Sequence, residues 1–362
     1  MRIFFAIVFI LYATNVTAFE SDRLNYDVNN RVLSCDEGKA LNHDWSIVVK
    51  GFYQLESKEI LEKWLSDVEI EDPKKQLYIA MGYHHGFKLE KDLQKAIYWY
   101  MKSSKQGYPI AQNNLAILYE SGAGVDKDIT TAFSLMCRSA LLGLHLSQYN
   151  IGRYYQYGIG VDINASMSIR WYQRAALNGN SGAEYNLGLM YAAGEIVKKD
   201  SDKAIAYFKA SADKGFLSAI NQLGYIYKEG ILVSQDFVES SGWFIKGAES
   251  GDMVSQNNLG ILYEYGQGVT QDYNEAAKWY RLSAEQGNDL AQSNLGFLYK
   301  QGRGVVQDFK EAAKWYRLSA KQGNSFAQNQ LGFLYDQGQG VTQDYNEAAK
   351  WYRLSAEQGN DL

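Results

Sequence analysis

The segment AQSNLGFLYKQGRGVVQDFKEAAKWYRLSAKQG, residues 291–323, contains most of one unit of a pattern that recurs along the chain. Its leucine–glycine pair, Leu295–Gly296, has counterparts every 36 residues. A glycine falls at the same spacing without exception, at positions 86, 122, 158, 194, 230, 266, 302 and 338. A fixed period of this length is typical of repeat architectures, in which each unit packs mainly on its neighbours. We therefore predict eight units between residues 75 and 362.

Each unit is predicted to contain two helices. Leu295 and Tyr299 lie four residues apart, as on the apolar face of a first helix. Gly302 is placed to end that helix. Asp308, followed three residues later by Glu311, has the spacing of a capping-box variant at the start of a second helix. The pattern predicts an α/α hairpin in every unit.

Gly296 lies inside the predicted first helix, where glycine costs about 1 kcal/mol relative to alanine. The same glycine recurs in most units, so a compensating contact is expected. A tryptophan–tyrosine pair, here Trp315–Tyr316, recurs in the second helix. We predict that one of these aromatic rings lies close to the bare backbone of the glycine, and that the pair supplies much of the burial in each unit.

The order of these residues resembles the Sel1-like repeat, an α/α family related to tetratricopeptide repeats. The resemblance covers about four fifths of the chain. It implies an all-α fold, a right-handed α/α solenoid of about eight 36-residue repeats. Residues 19–74 fall outside the repeat phase, but EILEKWLSDVEI (59–70) looks helical and predicts an N-terminal cap. The expected repeats are 75–110, 111–146, 147–182, 183–218, 219–254, 255–290, 291–326 and 327–362.

The N-terminus has the pattern of a secretory signal peptide. Arg2 precedes a short apolar run from Ile3 to Tyr12, and small residues at Val16 and Ala18 follow it. The run is too short to span a bilayer unaided. We predict a signal peptide at 1–18, cleavage after Ala18, no stable membrane insertion, and a periplasmic or secreted protein.

Cys35 and Cys137 are the two cysteines of the chain. Export would permit a disulfide between them. However, Cys137 occupies a position where other units carry Gln173, Lys209 and Arg281, which indicates a surface position. This comparison favours unpaired thiols, and sequence alone does not fix the connectivity.

The sequence offers little catalytic or metal-binding chemistry. His84–His85 is the one histidine cluster and lacks ligand spacing. Ser211 and Lys214 have the spacing of a serine–lysine pair, but the accompanying motifs are missing. We assign no catalytic, metal-binding or cofactor-binding residue. A net charge of -5 does not favour nucleic acid as a partner.

A candidate protein-binding surface lies on the first helices. Related solenoids use this helix to line a concave groove, so the resemblance implies a groove of aromatic and charged side chains. Tyrosine and arginine are frequent anchors of protein interfaces. For Phe297, Phe333 and Leu189, which occupies the same position in another unit, a place in the core is an equal alternative. The candidate groove residues are Tyr149, Arg153, Tyr157, Tyr185, Tyr225, Lys228, Tyr265, Phe297, Lys300 and Phe333.

The favoured function is a non-catalytic scaffold or adaptor that binds a protein or peptide in this groove. One alternative is a β-lactamase-like or cell-wall-acting hydrolase, an activity attached to cysteine-rich members of the family. The other is a self-associating structural protein. The last predicted helix keeps Trp351, Tyr352 and Ala356, the residues that interior units use, and no ninth unit follows. We expect either that the natural chain continues or that this edge associates with a partner or with another copy.

Overall fold

The computed structural model describes Cys35, residues 58–66 and residues 71–359. The predicted signal peptide at 1–18 lies outside this range, as does most of the predicted cap. The described residues form seventeen α-helices and no strand. The helices are α1 Lys58–Leu65, α2 Pro73–His85, α3 Leu93–Lys105, α4 Pro109–Ser121, α5 Ile129–Leu141, α6 His145–Tyr157, α7 Ala165–Leu177, α8 Ser181–Ala193, α9 Ser201–Asp213, α10 Leu217–Glu229, α11 Phe237–Glu249, α12 Met253–Tyr265, α13 Tyr273–Glu285, α14 Asp289–Gln301, α15 Phe309–Lys321, α16 Ser325–Gln337 and α17 Tyr345–Ala356.

The helices after α1 alternate between two kinds, which we call A helices (even numbers from α2 to α16) and B helices (odd numbers from α3 to α17). The chain divides into two compact units, 1–199 and 200–362, each of which contains several 36-residue repeats; from here on, 'unit' refers to these two parts and 'repeat' to a 36-residue segment. Within each unit, every A helix packs on the B helix that follows it and on the B helix that precedes it. Each unit is therefore a run of stacked α/α hairpins.

The glycine of the A helix lies against an aromatic ring of the B helix, as predicted. A Cβ atom built on Gly260 would lie 2.6 Å from Cδ1 of Tyr280, and one built on Gly296 would lie 3.0 Å from Cδ1 of Tyr316. Gly224 meets the ring of Phe244 in the same way. The ring in contact is the second aromatic of the pair, because that residue points at the paired A helix.

The tryptophans of the B helices are less uniformly buried than the sequence predicts. Tyr280 and Tyr316 are fully buried, whereas Trp279 is only half-buried. Trp315 is buried in a cluster between its own repeat and the preceding one, with Leu298 and Tyr280. The second residue of the pair is thus the main core residue of most hairpins; it is a tyrosine or phenylalanine except in the second repeat, which has Met136.

The residue before each B helix, an aspartate except for Asn164 before α7, is an N-cap. In repeat seven, residues 291–326, it does not form a capping box. The Asp308 carboxylate accepts hydrogen bonds from the backbone N–H groups of Lys310 and Glu311. The Asp308 N–H donates to the carbonyl of Tyr299, 3.0 Å away, instead of to Glu311. The Glu311 side chain accepts from Lys314. The hydrogen bond that a capping box predicts from the Asp308 N–H to the Glu311 side chain is therefore absent. The prediction is wrong because the Asp308 N–H already donates to a carbonyl of the A helix.

Two glycines turn the chain between α14 and α15; at the second position three other repeats carry Lys88, Ile196 and Leu232 instead. Gly302 ends α14 in the left-handed region, at φ 67°, and its N–H donates to the Leu298 carbonyl. Gly304 also has positive φ, and a Cβ atom there would overlap the carbonyl of Tyr273 at the start of the preceding B helix. The second glycine thus lets the loop of one repeat press on the backbone of the repeat before it.

Buried glutamines connect consecutive repeats. Nε2 of Gln292 donates to the Ala284 carbonyl of the preceding B helix, 3.1 Å away. Its Oε1 accepts from Gln322 of the following B helix at 2.9 Å. Gln256 and Gln328 form the same pair of bonds. Each of these amides satisfies otherwise unpaired polar groups while joining two hairpins.

The two cysteines form a disulfide, which corrects the expectation of unpaired thiols. The Cα atoms of Cys35 and Cys137 lie 5.7 Å apart, and the bond joins positions separated by 102 residues. Both cysteines are buried, in a cluster that includes Phe133 and Tyr154. The Cys35 N–H donates to the hydroxyl of Tyr155, 2.7 Å away. Cys137 is buried where Cys35 covers a B-helix position that is more open in other repeats, for example at Lys209 and Arg281.

Helix α1 packs against the first repeat. Leu61 is fully buried in one cluster with Leu77 and Met81 of α2. A Cβ atom on Gly82 would lie 3.4 Å from Leu61 Cδ1. Of the predicted cap, residues 19–74, this helix and its neighbours are the part that the structure describes along with Cys35.

Candidate functional site

The candidate groove residues project from A helices at positions just before and after the buried leucine. The leucines themselves, such as Leu187, Leu223 and Leu295, are fully buried. Residues two, five or six positions away on a helix are rotated by roughly 120° or more, so they cannot share that buried face. The candidate residues consequently lie between the core and the solvent.

In the unit 1–199, the four candidates have different environments. Tyr149 is half-buried, and its ring lies 5.6 Å from that of Tyr172. Nη1 of Arg153 lies 3.4 Å from Oδ1 of Asn150. Tyr157, at the end of α6, is 61% exposed. Tyr185 is half-buried, and its partial burial raises the pKa of its hydroxyl.

In the unit 200–362, Tyr225 and Lys228 lie together. Nζ of Lys228 is 5.9 Å from the centroid of the Tyr225 ring and forms an ion pair with Glu229. The Tyr225 ring packs edge-on against Phe244, and its hydroxyl accepts a hydrogen bond from Asn258. Tyr265, at the end of α12, is 65% exposed.

The remaining candidates form a second group in the same unit. Phe297 and Phe333 are half-buried and pack on the cores of the last two repeats. Nζ of Lys300 lies 4.2 Å from the centroid of Phe333. The two phenylalanines are therefore partly core residues and partly groove residues, because each packs one side on the core and leaves part of its surface open to solvent. Leu189 is 38% exposed.

Sequence reasoning missed two features of this face. An amide side chain precedes the leucine in every repeat after the first: Asn114, Asn150, Asn186, Gln222, Asn258, Asn294 and Gln330. Several of them bond across repeats, as Asn294 does to Asn257. Arg303 was also missed, although its guanidinium carbon lies 5.9 Å from the Phe297 centroid. The 36-residue recurrence of the amides was the signal that could have identified them.

The other chemical motifs of the sequence give no catalytic arrangement. Ser211 is fully buried within α9, where a bound substrate would not reach its hydroxyl. The rings of His84 and His85 stack at 4.6 Å, and Nδ1 of His84 lies 3.2 Å from the Tyr100 hydroxyl. Within the described ranges, no group of histidine, cysteine and acidic side chains has an arrangement that could hold a metal ion. His43 lies outside these ranges.

Among the helices that the structure describes, none is both long enough and apolar enough to cross a bilayer.

Comparison with known proteins identifies the repeat. The model of the Sel1 repeat family matches eight consecutive segments, residues 76–108, 109–144, 145–180, 181–216, 217–252, 254–288, 289–324 and 325–360. The chain belongs to the Sel1 repeat family. The predicted all-α repeat solenoid is confirmed by these matches and by the seventeen helices. Sel1 repeat proteins are typically protein-interaction scaffolds, and their fold is typically non-catalytic.

Solved structures of two Sel1-type proteins are similar to this Sel1 repeat chain. One is a protective antigen of uropathogenic Escherichia coli with an SLR fold, at 37% identity and a TM-score of 0.75. That match covers 83% of this chain and 64% of the E. coli chain, so the present chain spans less than two thirds of its length. The other is a Sel1 repeat protein of Oxalobacter formigenes, at 28% identity and a TM-score of 0.64, covering 90% of this chain and 94% of that one. No curated protein matches this chain significantly.

Proposed function

We propose that this protein is an exported, non-catalytic scaffold that binds a protein or peptide along the A helices. The observation that carries the proposal is the exposure of aromatic side chains there. Tyr157 and Tyr265 are 61% and 65% exposed at the C-terminal ends of α6 and α12. Tyrosine offers a large apolar ring and a hydrogen-bonding hydroxyl at low entropic cost, which suits an interface.

Two further features support export. The signal-peptide pattern of residues 1–18 is the first. The second is the Cys35–Cys137 disulfide, since such bonds persist in oxidising compartments and are rare in the cytosol. We infer a periplasmic or secreted location. N-terminal sequencing of the fractionated protein tests it, with Phe19 expected as the first residue and an intact Met1 in the cytosol as the contrary result.

A site-specific crosslinking experiment tests the binding surface. A photoreactive phenylalanine analogue replaces Tyr157 or Tyr265 in the full chain, which is then irradiated in its native cells. Tyr345 provides the matched control, because it is also a tyrosine, 65% exposed, but begins a B helix. Protein crosslinks are expected at the first two positions and not at Tyr345. Equal crosslinking at all three positions, or none at any, would contradict binding along the A helices.

Alanine substitutions give a second test once a partner is in hand. Tyr149→Ala, Tyr185→Ala and Tyr225→Ala are expected to weaken binding by about 1 kcal/mol or more each if they are interface anchors. Tyr149 and Tyr225 also pack on B-helix rings, so their variants will lose some stability. Thermal unfolding should nevertheless change far less than for Tyr280→Ala, which removes a fully buried ring.

A further inference from the structure

Repeat seven, residues 291–326, differs from both of its neighbouring repeats in the charge that its A helix and the following loop carry. It carries Lys300 and Arg303. The matching positions, 36 residues before and after, are Glu264 with Gln267 and Asp336 with Gln339. The neighbours are otherwise close copies, since the segments 266–290 and 338–362 are identical. Lys228 holds the Lys300 position in repeat five, but both positions carry a positive charge only in repeat seven, in a chain whose net charge is -5.

Lys300 is fixed between aromatic and amide groups. Its Nζ donates to Oε1 of Gln330 at 2.8 Å and lies over the Phe333 ring. The side chain is half-buried, and loss of solvation lowers its pKa. A partly desolvated ammonium group gains more from a carboxylate than a fully hydrated one does.

Arg303 lies beside a different pair of rings. Its guanidinium carbon is 5.6 Å from the Tyr273 centroid and 5.9 Å from the Phe297 centroid. Tyr273 belongs to the preceding repeat, and Phe333 belongs to the following one. The two cations thus each lie beside a half-buried phenylalanine, Arg303 beside Phe297 and Lys300 beside Phe333.

Neither cation forms an ion pair with any residue in the described ranges, whereas several lysines of residues 200–362 do. Lys278, Lys314 and Lys350 each pair with a glutamate three residues earlier, and Lys228 pairs with Glu229. Two unpaired cations beside partly open aromatic rings present positive charge and apolar surface together. Such a patch complements a ligand that combines negative charge with an apolar group.

We propose that this patch binds an acidic peptide segment of a partner protein, in which carboxylate side chains adjoin an apolar one. The carboxylates accept hydrogen bonds from Lys300 and Arg303, and the apolar side chain covers Phe297 and Phe333. The proposal rests on the scaffold function above and adds the chemistry of the bound segment. The patch, called the cationic patch below, consists of Tyr273, Phe297, Lys300, Arg303, Gln330 and Phe333.

A peptide selection with a repeat-swapped variant tests the proposal. Random dodecapeptides displayed on phage are selected on the wild-type protein, and the enriched peptides are synthesised for affinity measurements. The variant Lys300→Glu/Arg303→Gln carries residues that the neighbouring repeats place at these positions, so the fold already accommodates them. Enriched peptides are expected to combine Asp or Glu with an adjacent apolar residue. Their binding should weaken by at least about tenfold in the variant, as the loss of charge-assisted hydrogen bonds predicts.

The chain offers a control with the same change in net charge. Lys310→Asn/Lys321→Glu also inserts residues of the neighbouring repeats, namely Asn274 and Asn346, and Glu285 and Glu357. Both lysines are exposed on α15, outside the cationic patch. This variant should bind the peptides as the wild type does. Circular dichroism melting of both variants checks that each remains folded.

The outcomes separate this proposal from the scaffold function. Acidic peptides whose affinity falls only in the Lys300→Glu/Arg303→Gln variant support the cationic patch. Enriched peptides that are neutral or basic, or that bind both variants equally, overturn it and leave the scaffold function standing. Selection of no peptide at all overturns the cationic patch and also counts against the scaffold function.

Discussion

The hydroxyl of Tyr280 donates a 2.7 Å hydrogen bond to Oε2 of Glu264, sixteen residues earlier on the paired helix. Equivalent pairs join Tyr172 to Gln156 and Tyr100 to His84. In repeat seven, Lys300 occupies the position of Glu264 but bonds to Gln330, and the buried Tyr316 hydroxyl has no partner. Tyr280 and Tyr316 are both fully buried against a helix glycine, but only Tyr280 has a hydrogen-bond partner for its hydroxyl.

This difference predicts opposite outcomes for one substitution. Tyr280→Phe leaves the buried Glu264 carboxylate without its donor and is expected to destabilise the protein by about 1.5–3 kcal/mol. Tyr316→Phe removes a hydroxyl that is buried without a partner, so its stability should equal or exceed that of the wild type. Urea unfolding followed by circular dichroism compares the two. Equal losses of stability would show that the hydrogen bond to Glu264 contributes nothing.

Glycines inside helices should respond to alanine according to their contacts. Gly260→Ala places a methyl group 2.6 Å from the Tyr280 ring and should destabilise by about 1–3 kcal/mol through overpacking. Gly242 also lies within a helix, is exposed, and has open space around its Cβ position. Gly242→Ala should stabilise by about 0.5–1 kcal/mol, the difference in helix propensity. Thermal melting distinguishes them, and a stable Gly260→Ala variant would contradict the close-contact explanation.

The disulfide should be a major contributor to the stability of the unit that contains it. In the chain-entropy model, a crosslink that closes a loop of this size stabilises by about 4–5 kcal/mol. Cys35→Ser/Cys137→Ser is expected to melt at a lower temperature than the oxidised wild type. The reduced wild type should resemble the variant. Thiol titration of the native, unreduced protein should find no free cysteine, and two titratable thiols would contradict the bond.

His84 predicts a fall in stability in mild acid. Burial, together with His85 and Lys91 nearby, lowers the pKa of His84 from 6.5 to about 4 in the fold. The unfolded chain therefore takes up a proton at a pH where the folded chain does not, and stability should decline as pH falls from about 6.5 towards 4. His84→Gln introduces the residue that repeat three uses at this position, Gln156.

The pH dependence of the His84→Gln variant provides the measurement. Its urea midpoint should vary less between pH 6.5 and 4 than that of the wild type, because the proton-binding group is absent. Burial also lowers the pKa of His85, so some dependence should persist in this variant. Identical pH profiles for both proteins would mean that His84 does not bind its proton differently in the folded and unfolded states.

The cationic patch shows how far sequence could locate a binding surface. Phe297, Lys300 and Phe333 were identified from their positions relative to the buried leucine, which helical periodicity fixes. Arg303 lies beyond the end of α14, in a loop where periodicity no longer applies. Its placement near Tyr273 depends on contact between consecutive repeats, which helical periodicity does not specify.

The sequence by itself determined the repeat length, the paired helices and the aspartate caps, because these depend on residues a few positions apart. Tertiary structure decided the rest. It selected Tyr280 over Trp279 as the ring beneath Gly260, through the direction in which each side chain leaves the helix. It also joined Cys35 to Cys137 across 102 positions, by burying a B-helix residue that repeat comparison placed at the surface. Contacts this distant depend on how the whole chain packs, and no local pattern encodes them.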